Sequence, residues 1–454
     1  MSLINDGAIA DIQANAPKKA KEAVAQYYLY LVGLYIVLVF NEFIRRPVDF
    51  FALGLILLGL PLINKSNINL LKASIAQSMA AKMVFWGLFV MSILFFIATL
   101  RQFPRYDGLI AFGAQYGVHI CLAVMALMII PISVKTIGFL FNCLLFSMLA
   151  LILVDIGFYI WDYRNNIAIG SDYSHRWLGD GYVFLTPFLL ARILYNQEQG
   201  DIQAIKKLSV APLFFQLLLY LLLILSVILG GGTGARSTYL ILFFEIVFFI
   251  ALKAYQARWS AIKMLTISFL VFVVLKVALG LLAPELFEGA VSRRLQTWDR
   301  ILYAWTPAIL LIQEAPMMGY GFGAEVWDAA ISHLKLTHPN IINFGSPHNW
   351  FLSAGFFGGI PACIAQFSLV VGMFGILKSF WERGRKLIVN RAINQKLSYL
   401  TIAVLTAFIS FYLVRGLVEF TIYKYLSILI IIFGMINVVN QSNHLHTPAN
   451  LEID

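Results

Sequence analysis

Long apolar runs recur along almost the whole chain, and they constrain its fold more than any other feature. Each run is roughly 17–25 residues long, the length a helix needs to cross a hydrocarbon core of ~30 Å. The runs lack the alternation of barrel strands, and a backbone in lipid must satisfy its own hydrogen bonds, so we interpret them as helices. With 12% charged residues and a mean hydropathy of +0.82, the 454-residue chain is predicted to be an all-α polytopic transmembrane protein.

The runs predict about twelve membrane spans, with ends that are good to a few residues. We place them near 27–44, 49–64, 83–100, 108–130, 136–160, 181–195, 209–230, 237–252, 264–283, 349–377, 398–415 and 425–440. This divides the chain into an N-terminal tail (1–26), nine spans (27–283), one long polar segment (284–348), three further spans (349–440) and a C-terminal tail (441–454). The basic N-terminal tail predicts no cleavable signal peptide.

The distribution of Lys and Arg predicts the orientation of the spans. Connectors on the side of the N-terminus carry 18 of these residues and the opposite connectors carry 13. The positive-inside rule therefore places both termini in the cytoplasm. The segment 284–348 is then the main extracytoplasmic segment.

The extracytoplasmic connectors are also distinguished by the kind of basic residue that they carry. Eleven of their thirteen basic residues are arginines, whereas lysine dominates on the cytoplasmic side. Arginine grips phosphate oxygens with two parallel hydrogen bonds, which lysine cannot do. Each arginine could instead reach lipid headgroups, but the whole set favours a polyanionic ligand such as a diphosphate. We expect membrane lipids as partners, and no nucleic acid.

The segment 284–348 holds the main candidate site residues. It contains Arg293, Arg294 and Arg300, and it ends at His348-Asn349, where a new apolar run begins. Imidazole has a pKa near 6.5 and can accept a proton at physiological pH, so His348 is a candidate general base. Asn349 could orient it or bind a sugar hydroxyl. A lone histidine is also common in structural roles.

Four other features of the sequence bear on the site. His338 competes with His348 as a candidate base, and Arg192 lies inside the short span 181–195 as a weaker candidate for ligand binding. The three cysteines all fall in apolar runs and suggest neither disulfides nor a metal site. We find no Asp-x-Asp pair outside and no cluster with metal-ligand spacing, so we expect no metal and no cofactor.

A glycine-rich turn precedes the eighth predicted span. Gly230-Gly231-Gly232-Thr233-Gly234-Ala235-Arg236-Ser237 differs from a P-loop at Ala235 and Arg236 and connects two spans, which excludes nucleotide binding. Backbone N–H groups at a helix start, with Arg236 on the first turn, suit an anion. A plain tight turn is the alternative. The glycine-spaced segment Gly319–Gly323 follows an amphipathic run, and we expect it to let the backbone bend sharply beneath a ligand.

The order of these motifs resembles the O-antigen ligase and polymerase family of membrane glycosyltransferases. The resemblance covers roughly residues 210–380 and rests on the following pieces: Ala235-Arg236-Ser237, Arg294-Leu295-Gln296-Thr297-Trp298, Ala315-Pro316 with Gly319 and Gly321, and His348-Asn349 with Leu352, Gly355, Gly358 and Gly359. The Ile360-Pro361 that follows departs from the family pattern.

The resemblance implies a GT-C type enzyme at the outer face of the bacterial inner membrane. Its donor would be a glycan on undecaprenyl diphosphate, and its acceptor the lipid A–core oligosaccharide. The family roles carry over to His348 as the base and to Arg236 and Arg294 on the diphosphate. A single dominant outer segment resembles the ligase branch. A polymerase or a protein O-oligosaccharyltransferase of the same family remains open, as does a flippase for lipid-linked glycans.

Overall fold

The computed structural model describes residues 6–41, 44–102, 106–165, 173–203, 210–232, 236–256, 301–343, 345–386, 391–417 and 422–445. Within these ranges all regular elements are helical and no strand occurs, which confirms the predicted all-α class. The α-helices are α1 (Asp6–Leu38), α2 (Arg45–Gly59), α3 (Lys65–Gln77), α4 (Met79–Leu100), α5 (Tyr106–Phe112), α6 (Val118–Ile129), α7 (Val134–Arg164), α8 (Tyr173–Gln203), α9 (Val210–Gly232), α10 (Arg236–Gln256), α11 (Thr306–Glu314), α12 (Ala324–Thr337), α13 (Trp350–Lys386), α14 (Arg391–Phe408) and α15 (Lys424–Leu445).

Short π-helical and 3-10 stretches extend several of these helices. α2 ends in a 3-10 turn at Leu60–Leu62. π-Helical turns join α5 to α6 at Gly113–Gly117 and precede α11 at Ile301–Trp305. α14 continues as a π-helix over Ile409–Val414 and ends in a 3-10 turn at Arg415–Leu417. The amphipathic run that precedes the glycine-spaced segment is thus helical.

The described residues contain five helices that are long and apolar enough to cross a membrane, or six if the pair around a 103° bend between α2 and α3 is one span. The five are Met79–Leu100, Tyr106–Ile129, Val134–Arg164, Trp350–Ile376 and Leu397–Leu417. Shorter apolar helices lie at four further predicted spans, in α1, α9, α10 and α15. The predicted span 264–283 lies outside the described residues. The total of about twelve spans and the domain boundaries therefore stay predictions.

Helices α4 and α13 pack closely against each other in antiparallel orientation and position the site. A Cβ atom on Gly87 would lie 2.5 Å from the carbonyl oxygen of Ala365, and one on Gly372 would lie 2.6 Å from that of Ala80. Small residues allow this backbone contact, which replaces the hydrophobic driving force that is absent between helices in lipid. The antiparallel pairing brings the end of α4 and the start of α13 to the same end of the bundle, called the His348 end below.

α13 is broken near the His348 end, and the segment before α12 repairs the break. Gly359 has φ 76° and ψ −175°, and Pro361 has no N–H, so the carbonyls of Phe356 and Phe357 lose their usual helical donors. The N–H groups of Tyr320 and Gly321 donate to these two oxygens, at 2.6 and 3.1 Å. The Gly319–Gly323 turn thus bends against α13. The predicted bend is present, and in the described part of the chain it contacts the backbone of α13.

A buried polar network joins four helices of the bundle. The Tyr35 hydroxyl contacts His119 Nδ1 at 2.8 Å and Ser427 Oγ at 3.1 Å, and His119 Nε2 lies 3.0 Å from Asp49 Oδ1. Because partnered polar groups in a low-dielectric interior specify a unique arrangement, this network fixes α1, α2, α6 and α15 relative to one another.

Candidate active site

His348 occupies an unusual backbone position immediately before α13. Its φ is +46°, which makes it the one non-glycine residue with positive φ among the described residues. This left-handed region is uncommon for residues other than glycine, although histidine, asparagine and aspartate are enriched there. The side chain is half-buried and follows the buried Pro347. Such strained positions cluster at functional sites, so this backbone conformation is a reason to test the role predicted for His348 from the sequence.

Asn349 caps α13 and ties it to a second helix. Its Oδ1 accepts a hydrogen bond from the N–H of Leu352 at 3.0 Å, as expected of a helix N-cap. Its Nδ2 donates to the carbonyl oxygen of Leu417 at 3.3 Å. Both ends of the Asn349 amide are therefore engaged within the protein, and this residue fixes the chain that carries His348 against the end of α14.

The chain that leads to His348 is also anchored, by Asn343. Its Oδ1 accepts hydrogen bonds from Trp327 Nε1 at 3.0 Å and from the N–H of Gly345 at 2.9 Å. Its Nδ2 donates to Asp328 Oδ1 at 2.6 Å. Trp327 is buried in α12 against Phe356 of α13. The chain is consequently fixed on both sides of His348, by Asn343 before it and by Asn349 after it.

A buried arginine that no sequence motif singled out lies next to this site. Arg415, 5% exposed, follows α14 and forms an ion pair with Asp180 of α8, which is also 5% exposed. Its Nη1 donates to Thr238 Oγ1 at 2.8 Å, and Thr238 lies in the first turn of α10. In the sequence, Arg415 is one of the eleven predicted extracytoplasmic arginines. Its position at the end of an apolar run was the feature of the sequence that could have indicated a role for Arg415. No pattern in the sequence indicates which residues it contacts.

Tyr320 and Glu314 stabilise the turn that supports α13. The Tyr320 hydroxyl donates to Glu314 Oε2 at 2.8 Å, and its ring stacks on Phe356. Burial, and then the hydrogen bond and charge of Glu314, raise the pKa of this hydroxyl, so it remains a donor over the physiological pH range. The hydrogen bond between Tyr320 and Glu314 thus stabilises the turn in addition to its backbone hydrogen bonds.

A polar cavity of about 240 Å³ is lined in part by Gly323 of this turn. Its hydrogen-bonding side chains are Gln102, Asp107, Gln115 and Glu325, and none of the described residues that line it is basic. Carboxylates and carboxamides together can accept from and donate to sugar hydroxyls. The two carboxylates would repel a diphosphate. The cavity therefore suits a neutral sugar better than the diphosphate that the predicted arginines would bind.

The remaining predicted site residues fall into two groups. Arg293, Arg294 and Arg300 lie outside the described residues, and Arg236 is placed only as the first residue of α10. His338 is exposed immediately after α12. The roles that the sequence predicts for these residues therefore stay predictions.

The structure does not bring Arg192 to the His348 end. At 1.5 Å per residue, it lies about 18 Å along α8 from Asp180. Its guanidinium carbon sits 5.6–5.9 Å from the ring centres of Phe141, Tyr195 and Phe215. Aromatic faces stabilise a cation at such distances. The visible contacts of Arg192 are thus with an aromatic cluster deeper in the bundle.

Potential metal ligands do not cluster in the described part of the chain. It holds no group of three or more His, Cys, Asp or Glu side chains that could bind a metal ion. The free cysteines Cys121, Cys143 and Cys363 lie within helices, as the sequence predicted.

The helices and the polar site at one end define an integral membrane protein of the all-helical type. Residues 221–367 match the family model described as O-antigen ligase. An O-antigen ligase of Salmonella typhimurium is 27% identical over 265 residues, covering 57% of this chain and 58% of that protein. The chain thus spans little more than half the length of this relative. These matches confirm the predicted resemblance to the O-antigen ligase family.

Proposed function

We propose that this protein is an O-antigen ligase of the bacterial inner membrane. It transfers a polysaccharide from undecaprenyl diphosphate to the lipid A–core oligosaccharide at the periplasmic face, which is the His348 end of the bundle. The termini are then cytoplasmic. The family match over 221–367 supports this proposal, because that range contains Arg236, Arg294 and His348.

The proposed reaction is a single displacement with inversion at the anomeric carbon. A hydroxyl of the acceptor attacks this carbon while the undecaprenyl diphosphate leaves. His348 takes the proton of the attacking hydroxyl, which is the work of a positioned general base. Arg236 and Arg294, supported by Arg293 and Arg300, stabilise the negative charge that develops on the leaving diphosphate.

The observation that carries the proposal is the linkage of two helix starts at one end of the bundle. Asn349, next to His348, donates to Leu417, and Arg415 in the same 3-10 turn donates to Thr238, which follows Arg236 in α10. The residue next to the proposed base and the first turn of the helix that begins at Arg236 are thereby connected through one short turn. This arrangement suits a reaction in which an acceptor hydroxyl loses its proton while it attacks the carbon that the diphosphate leaves.

The proposed reaction does not depend on a metal ion, because arginines supply the positive charge. Transfer by the purified protein in detergent is therefore expected to survive EDTA. A requirement for Mg²⁺ or Mn²⁺ would contradict this part of the proposal.

The function is tested by the polysaccharide profile of a strain that lacks the gene. A ligase deletion leaves uncapped lipid A–core and accumulates lipid-linked polymer, and the wild-type gene restores capping whereas the His348→Ala gene does not. Core that carries single repeat units would instead identify a polymerase. Normal capping together with loss of a glycoprotein would identify a protein O-oligosaccharyltransferase.

A further inference from the structure

Arg415 connects three helices at the His348 end through a single buried guanidinium group. One edge of the group pairs with Asp180 of α8, and Nη1 donates to Thr238 Oγ1 of α10 at 2.8 Å. The planar fork of arginine holds two acceptors in fixed directions, which the point charge of lysine does not. Arg415 therefore determines where the first turn of α10 lies relative to the end of α14.

The turn that begins with Arg415 also contacts the chain of His348. Arg415–Leu417 is a single 3-10 turn, and the carbonyl oxygen of Leu417 accepts the hydrogen bond from Asn349 Nδ2 at 3.3 Å. Such a turn is short and tightly wound, so a displacement of Arg415 is transmitted to Leu417. Through Asn349 this displacement then reaches His348, the preceding residue.

The helix before this turn has the local geometry that aims Arg415 inward. α14 changes to a π-helix over Ile409–Val414, and Ser410, Phe411 and Tyr412 are buried within it. π-Helical turns are uncommon and occur frequently at functional sites. The extra residue per turn changes the direction of the side chains that follow, and Arg415 is buried although it stands at a helix end.

We infer that Arg415 is a positioning residue of the transfer reaction, which sets the distance between the start of α10, at Arg236, and His348. The inference rests on the proposed function. Asp180 compensates the charge of Arg415. The guanidinium group therefore acts as a structural link between the start of α10 and the chain that carries His348. Because a misplacement of about 1 Å can reduce the rate of a catalysed step about 10²-fold, this structural link affects turnover without touching the substrate.

The substitution Thr238→Val tests the structural link with the smallest change. It removes the hydroxyl that accepts from Arg415 and leaves the ion pair with Asp180 in place. We expect kcat to fall about 10- to 100-fold, with the affinity for undecaprenyl diphosphate and the melting temperature close to those of the wild type. Arg415→Lys is expected to lower kcat at least as much.

Thr406→Val is the matched control. Thr406 is also buried near the end of α14, but its hydroxyl donates only to the carbonyl oxygen of Ile402 in the same helix, at 2.8 Å. We expect its kcat to stay within about twofold of the wild type. An equal loss in both valine variants, or a loss that only follows the amount of folded protein, would overturn the inference.

A double-mutant cycle separates positioning of His348 from other effects. If Thr238 acts through the placement of the base, Thr238→Val should lower the residual rate of His348→Ala by less than twofold. Full additivity would overturn the inference while leaving the proposed function intact. Absence of transfer by the wild-type protein, in contrast, would contradict the proposed function and the inference with it.

Discussion

Gly321 lies so close to Thr99 of α4 that a Cβ atom on the glycine would be 2.8 Å from the Cα atom of Thr99. The hydroxyl of Thr99 also accepts a hydrogen bond from the N–H of Phe322, at 3.2 Å. Gly321 itself has φ +85°. The glycine is thus required twice, once by its backbone conformation and once by the space that α4 leaves.

A comparison of Gly321→Ala with Gly345→Ala separates these two requirements. Gly345 has φ +78°, but nothing lies within 4 Å of the position of its Cβ. We expect Gly345→Ala to cost about 1–2 kcal/mol for the left-handed conformation, and Gly321→Ala about 1–3 kcal/mol more for the overlap. The measurement is the melting temperature of each purified variant. Equal losses in the two variants would show that α4 yields to the added methyl group.

His348→Ala tests the proposed base. We expect this variant to fold, to reach the membrane and to bind the lipid-linked donor, and to lose roughly 10²–10⁴-fold in transfer rate, the usual contribution of a positioned base. His338→Ala, at an exposed position after α12, should be much milder. Transfer rates and donor affinities are measured on the purified variants. Normal turnover in His348→Ala would return this histidine to a structural role.

Arg236→Lys tests whether the proposed diphosphate site needs the shape of arginine or only its charge. Lysine keeps the positive charge and loses the two parallel hydrogen bonds to phosphate oxygens. We therefore expect a severe loss of transfer, close to that of Arg236→Ala. The assay is again donor affinity and transfer rate. If the lysine variant is fully active, contact of Arg236 with lipid headgroups becomes the better interpretation.

A cysteine at Ser346 tests the proposed orientation. Ser346 precedes the Pro347–His348 pair, so in the proposed topology it faces the periplasm. In a variant whose three native cysteines are replaced, Ser346→Cys should react with a membrane-impermeant thiol reagent once the outer membrane is permeabilised. His333→Cys, on the exposed side of α12, serves as a second position of the same segment. Labelling only after the inner membrane is broken would invert the topology and contradict the mechanism.

Much of the secondary structure could be predicted because membrane-length apolar runs have one stable solution in lipid. The predicted spans 83–100 and 136–160 correspond to α4 and α7, and α9 begins and ends within a few residues of the predicted span 209–230. α8, in contrast, extends eight residues beyond each end of the predicted span 181–195. Breaks inside these runs were harder to predict. The 103° bend between α2 and α3 and the interruption of α13 at Gly359 both depend on where freed backbone groups find new partners.

The departure at Ile360-Pro361 illustrates the same limit at the site. In the sequence, this proline only differed from the family pattern. In the structure, the N–H of Ile360 donates to the carbonyl oxygen of Pro316 at 2.7 Å, so the disturbed turn of α13 is satisfied by the chain that leads into the Gly319–Gly323 segment. The two segments depend on each other, although neither indicates the other by itself.

The sequence by itself determined the all-helical membrane class, the resemblance to the O-antigen ligase family and the choice of His348, because hydropathy and motif order are local properties of the chain. Only the tertiary structure decided that Asn349 caps α13, that Arg192 lies away from the His348 end, and that Arg415 joins Asp180 to Thr238. The contacts of Arg415 connect residues from three separate helices. Their partners are chosen by helix packing, and packing is a property of the whole bundle.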